Sequence, residues 1–147
     1  MTIFEALRND HDIQRKLLEV LVSTSGDTAT REQAFIALKH ELKIHEDAEE
    51  RHFYNPLIKK DMTQDHARHG IAEHHEIDEI VEKLEETNRD SSAWLKYAKN
   101  LKEKVEHHLE DEEHTIFQLA GKVLTEGQKS SLASQYTKYI QDSRNEK

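Results

Sequence analysis

Two stretches of the chain carry the same side chains at the same spacing. One is His45-Glu46-Asp47-Ala48-Glu49-Glu50 and the other is His108-Leu109-Glu110-Asp111-Glu112-Glu113. Both read His-x-x-x-Glu-Glu, and both run on into an apolar pair, Phe53-Tyr54 and Ile116-Phe117. Residues four apart on an α-helix share a face one turn apart. Each stretch therefore points an imidazole and a carboxylate the same way. Two such helices face to face offer two His and two Glu to one point, which is a set of metal ligands.

The motifs stand 63 residues apart, and the same offset carries His11 onto His74. It also carries Leu17, Leu18 and Leu21 onto Ile80, Val81 and Leu84. The chain thus reads as two copies of one helix pair, related by a pseudo-two-fold. The offset selects His74 over His75 and His108 over His107. Periodicity agrees, because His74 shares its face with Ile71, Ile77 and Val81, whereas His75 shares its face with Glu79 and Glu82. The candidate metal ligands are His11, His45, Glu49, His74, His108 and Glu112. His107 competes, standing five residues before Glu112, and His52 lies beyond Glu49 on nearly the same face. His40, His66, His69 and His75 read as solvated or near loops. His114 falls opposite Arg51 under the offset and has no reason to be a ligand.

These six polar residues occupy core positions. Burying each without a partner costs roughly 2–7 kcal/mol. Six such costs exceed the ~5–15 kcal/mol by which a whole domain is stable. The plainer compensation is mutual His–Glu hydrogen bonding, and the other is metal. His and carboxylate without thiolate suit iron or manganese, with zinc as a lesser fit. Four His and two Glu exceed the needs of one tetrahedral zinc. Two six-coordinate ions need about twelve positions. The His, two bridging Glu and a shared oxo, hydroxo or water bridge fill most of them. About two positions stay open for a small exogenous ligand.

The elements that must position these residues are helices. One Pro, four Gly and long runs of Leu, Glu, Lys and Ala predict an all-α chain. Thr2 and Glu5 form a capping box for the first helix, whose stripe is Phe4, Leu7, His11, Leu18 and Leu21. Ser23-Thr24-Ser25-Gly26-Asp27 breaks it. Thr30 and Gln33 are placed to box the second helix, with stripe Ala34, Leu38, Leu42, His45, Glu49 and Phe53. Pro56 is expected to end it, with Asn55 pushed out of the α region. Residues 57–62 read as a connection and Thr63 as the next N-cap. The third helix carries Ala67, Gly70 or Ile71, His74, Ile77, Val81 and Leu84, up to the break at Asn88-Arg89-Asp90-Ser91. The fourth carries Trp94, Ala98, Leu101, Val105, His108, Glu112, Ile116, Leu119 and Val123.

The expected architecture is an up-down-up-down antiparallel four-helix bundle with a short additional C-terminal helix. Residues 1–147 form one domain, with the core bundle over about 3–124. Residues 125–147 form the terminal helix (Leu132, Tyr136, Tyr139, Ile140), a brace with a frayed polar tail. In such a bundle His11, Glu49, His74 and Glu112 stand within one or two turns of the same depth.

The bulk composition excludes other chemistries. The chain has 147 residues, no Cys and a formal net charge of −9. Without Cys there are no disulfides, thiolate zinc sites, iron–sulfur clusters or Cys nucleophiles. The acidic balance argues against a nucleic-acid partner or an anionic membrane surface. No apolar run approaches the ~20 residues of a membrane span, and the N-terminus lacks a signal-peptide pattern. The expectation is a soluble, cytoplasmic protein. The 11 His are many for this length, and His is the commonest metal ligand.

Over roughly residues 3–124 the chain resembles the hemerythrin-like family, also called the HHE cation-binding domain. The resemblance rests on His11, on His45-x-x-x-Glu49-Glu50, on His74 and on His108-x-x-x-Glu112-Glu113. The aromatic-then-Pro ending, Phe53-Tyr54-Asn55-Pro56, is also similar, with Asn55 inserted. It implies a non-haem di-iron centre, two iron ions (Fe2+/Fe3+) with a bridging oxo, hydroxo or water, and the two Glu as bridges. The chain departs from the oxygen carriers of the family. Those have two His four apart on the third helix, where Gly70 precedes His74 here. They also place an Asp five residues after the fourth-helix His, where Glu112 stands four after His108. The sparser ligand set of the regulatory and stress-related members is the closer match. A vacancy beside Gly70 is expected to leave room for water, peroxide or nitric oxide. A ferritin-like arrangement, with Glu-x-x-His on two helices, fits Glu49 and His52 but meets Thr115 at the second His.

The first functional expectation is a di-iron protein that binds O2 or a related small ligand (O2, NO or peroxide) for transport, storage or sensing. The second is a di-iron redox enzyme acting on peroxide or nitric oxide. The third is iron storage or buffering.

Overall fold

The computed structural model describes residues 1–146, and every regular element among them is a helix. Helix α1 spans Ile3–Ser23. Its start has the expected capping box: Glu5 N–H donates to the Thr2 hydroxyl, and Thr2 N–H donates to the Glu5 carboxylate. The turn that follows needs a left-handed residue, and Gly26 supplies it at φ 66°. Helix α2 spans Ala29–Glu49, and its cap is Thr28 rather than Thr30. The buried Arg31 guanidinium then ties two loops together by donating to Thr24 and to the Arg89 carbonyl.

Pro56 does not end the second helix. A π-helical segment, Glu50–Tyr54, continues it, and a further turn, α3, covers Asn55–Ile58. Asn55 is helical at φ −57°, ψ −45°, and its N–H donates to the Glu50 carbonyl five residues back. The wider turn lets Pro56 enter at the start of a fresh helical turn, where its missing N–H costs nothing. Helix α4 spans Gln64–Glu86. Thr63 does not cap it through its side chain; the buried hydroxyl donates to the Leu57 carbonyl at 2.7 Å.

Helix α5 spans Ser92–Asp111 and is capped by Ser91. A second π segment, Glu112–Ile116, follows, and then α6, Phe117–Val123. Helix α7, Glu126–Asn145, opens with a capping box between Thr125 and Gln128. It is not the short helix expected: at 20 residues it equals α5. Tyr136 and Ile140 keep an apolar stripe down its length. Near its end Arg144 pairs with Glu41 and Asp10, so the tail to Asn145 stays helical. This helix lies along α1 and α2.

Consecutive helices pack on one another, α1 on α2 and α4 on α5, and α1 also packs on α5. The apolar core falls into two parts. One holds Leu18, Leu38, Leu42, Trp94 and Val105, and the other holds Ile3, Leu7, Phe53, Ile116 and Tyr136. Along α1 the two parts change over between Leu7 and Leu18, and along α4 between Ala67 and Ile77. His11 and His74 stand in those gaps. Among the described residues, no helix is long and apolar enough to cross a membrane.

Candidate metal centre

Helix α1 contributes His11, α2 contributes His45 and Glu49, α4 His74, α5 His108, and the second π segment Glu112. All six are buried. They form two groups that share Glu49. His11, His45, Glu49 and Glu112 bring one ligand atom each within 4.8 Å of one another, as do Glu49, His74 and His108.

Every ring turns Nε2 inward. His45 Nε2 is 3.5 Å from Glu49 Oε2, and His74 Nε2 is 3.0 Å from Glu49 Oε1. His11 Nε2 is 3.0 Å from Glu112 Oε1, and His108 Nε2 is 3.7 Å from Glu112 Oε2. Each carboxylate therefore lies between a His of one group and a His of the other.

The outer nitrogens explain why the rings point this way. His11 Nδ1 meets Glu113 Oε2 at 2.6 Å, His74 Nδ1 meets Glu50 Oε2 at 2.8 Å and His108 Nδ1 meets Glu73 Oε1 at 2.8 Å. His45 Nδ1 meets the Tyr136 hydroxyl at 2.7 Å, and Tyr136 donates to Asp10 Oδ2 at 2.5 Å. A proton on each Nδ1 leaves the Nε2 lone pair aimed at the centre, as metal-ligating His requires. Arg15 and Arg144 brace two of these partners, pairing with Glu113 and Asp10.

The donor set fits a cation. His45 Nε2, His108 Nε2 and Glu49 Oε2 are buried and lack hydrogen-bond partners among the described residues. Such atoms are costly unless something satisfies them. In the metal-free chain, protons carry part of that load. Burial pushes His11 and His74 down, but their carboxylate neighbours outweigh it and raise both to about 9. Burial and the neighbouring Glu49 charge raise Glu112. The centre attracts positive charge.

The expected vacancy beside Gly70 is filled. The π segment after Glu49 carries both Phe53 and Tyr54 into the core, and both are fully buried. The Tyr54 ring occupies the space next to Gly70, and its hydroxyl donates to Glu112 Oε2.

Several contributors are absent from the sequence reading. Glu50 and Glu113, the last residues of the two motifs, hold His74 and His11. Glu73 has His74 as its neighbour, yet holds His108. Tyr136 and Asp10 have no local signal. Of the two competing His, His107 is exposed, and His52 is half-buried with its ring 5.8 Å from that of Tyr139. Neither belongs to a ligand group among the described residues.

The model of the Hemerythrin HHE cation binding domain matches residues 2–120. Among solved structures, the hemerythrin HHE cation binding domain-containing protein from Mycobacterium kansasii aligns with a TM-score of 0.88 at 19% sequence identity. The alignment covers 99% of this chain and 88% of that one, a likeness of fold. Comparison with curated protein sequences gives no match.

Proposed function

The chain belongs to the hemerythrin HHE cation-binding family, and from that premise we propose a non-haem di-iron protein that binds O2, NO or peroxide for storage or sensing. His11 and His45 would hold one iron, His74 and His108 the other, with Glu49 and Glu112 bridging. The observation that carries this is the placement of each carboxylate between a His of one group and a His of the other. Six nitrogen and oxygen residues without thiolate suit iron better than tetrahedral zinc. The helices that present them are read as an up-down-up-down bundle within one domain, with α7 closing over α1 and α2.

Bound iron would supply reversible redox change and affinity for small diatomic ligands. The protein's share is to orient the four rings through their Nδ1 partners. Phe117, stacked on the His11 ring, and its buried neighbours Phe53 and Ile116 would keep water from the site. Tyr54 favours a second reading, a redox enzyme acting on peroxide or nitric oxide, because it holds a hydroxyl proton against Glu112.

Adding peroxide, and separately O2 or NO, to the iron-loaded protein separates the readings. A stable coloured adduct supports the binder. Rapid oxygen evolution from peroxide, or NO consumption, supports the enzyme. Neither adduct nor turnover would contradict both.

A further inference from the structure

His69, Glu73 and Asp111 converge where α4 meets the end of α5. Each offers a ligand atom within 4.8 Å of the other two. His69 and Glu73 repeat the His-x-x-x-Glu spacing of the two core motifs, so α4 sets both on one face. His75 and Glu79 have that spacing as well, but no third ligand joins them among the described residues.

This group differs from an ordinary acidic patch. Glu73 is 3% exposed, whereas the His69 side chain is 62% exposed. The two oxygens of Glu73 face opposite ways. Oε1 holds His108 Nδ1 at 2.8 Å, and Oε2 stands 3.6 Å from His69 Nε2. At 3.6 Å the second pair is not a hydrogen bond. It is close to the 3.5 Å between His45 Nε2 and Glu49 Oε2 in the core. Both atoms can reach one first-row ion at about 2.1 Å. One imidazole and two carboxylates suit a divalent ion such as Fe2+, Mn2+ or Co2+, with water filling the outward positions.

We propose that His69, Glu73 and Asp111 form a further divalent-cation site, open to solvent, from which ions load the buried centre. The loading role rests on the two-metal reading above. The site itself does not: Glu73 holds His108 through Oε1, but none of the three residues is among the six ligands of the buried centre.

Co2+ is a suitable probe. The metal-free protein is dialysed to equilibrium against Co2+, beside a His69→Ala/Asp111→Asn double variant that leaves Glu73 to hold His108. The wild type is expected to bind one ion more per chain than the double variant. The buried centre of the double variant is expected to fill several-fold more slowly, followed by the visible absorption of Co2+. If the double variant matches the wild type in stoichiometry and rate, the outer site is refuted and the two-metal centre stands. A one-ion loss with an unchanged rate keeps the site and overturns its loading role. A wild type that binds a single ion, retained in His45→Ala and lost in the double variant, keeps the outer site and removes the two-metal reading.

Discussion

Gly70 and Tyr54 are fitted to each other: a Cβ on residue 70 would overlap both Cζ and Oη of Tyr54. The ring has little freedom to withdraw, being fully buried with its hydroxyl on Glu112. Gly70→Ala gains about 1 kcal/mol of helix propensity, but overpacking a filled core costs about 1–3 kcal/mol. A net loss of stability is expected in thermal denaturation, and a smaller one in a Tyr54→Leu background. A Gly70→Ala protein as stable as the wild type would show that the ring moves freely.

Tyr136 is the one outer partner that is not a carboxylate. Tyr136→Phe keeps the ring and removes the hydroxyl that accepts from His45 and donates to Asp10. Loss of a partner of this kind weakens metal binding by about 10–100-fold. It also costs about 1–3 kcal/mol, because buried groups are left unpaired. Competition with a chelator of known affinity reads the first effect. Unchanged affinity would make α7 a brace and nothing more.

His74 and His75 are adjacent in sequence and opposite in surroundings. His74 is buried among Glu49, Glu50 and Tyr54, and His75 is exposed. His74→Ala should release metal, and His75→Ala should bind as the wild type does. Equal losses in dialysis would contradict the assignment of His74 as a ligand.

The metal-free protein should lose stability as pH rises. His11 and His74 are raised from 6.5 to about 9 by carboxylates that outweigh their burial, and burial raises Glu46 from 4.5 to about 9. The folded chain holds these protons more tightly than the unfolded chain. The stability that the His contribute is complete below about pH 6.5 and is lost as pH rises through 9. That of Glu46 is complete below its unfolded value and is lost over the same rise. The Tm after chelation should therefore fall between about pH 6.5 and pH 9. Metal affinity should rise over that interval, because coordination displaces the same protons. A Tm of the metal-free protein that climbs across this range would contradict the buried His–Glu pairing.

Much of the centre was legible because a 63-residue offset and a 3.6-residue period pick the same side chains. The structure brings His11, His45, Glu49, His74, His108 and Glu112 together in the core. The π segments were not expected, although the apolar pairs Phe53-Tyr54 and Ile116-Phe117 are their trace. Four and five residues on from Glu49 and Glu112 are both buried, and a π turn carries each pair. The inserted Asn55 is the residue that completes the wider turn. The contributions of Tyr136 and Asp10 had no such trace. They depend on where α7 docks, and a contact between residues 10 and 136 leaves no periodic mark on either helix.

The most direct test of the centre is metal content per chain, with an optical spectrum of the aerobic protein. Two irons per chain with near-ultraviolet oxo-bridge bands is the predicted result. One zinc per chain, or a folded protein without metal, would contradict it. In that case the buried His and Glu would serve to satisfy one another or to hold a structural ion.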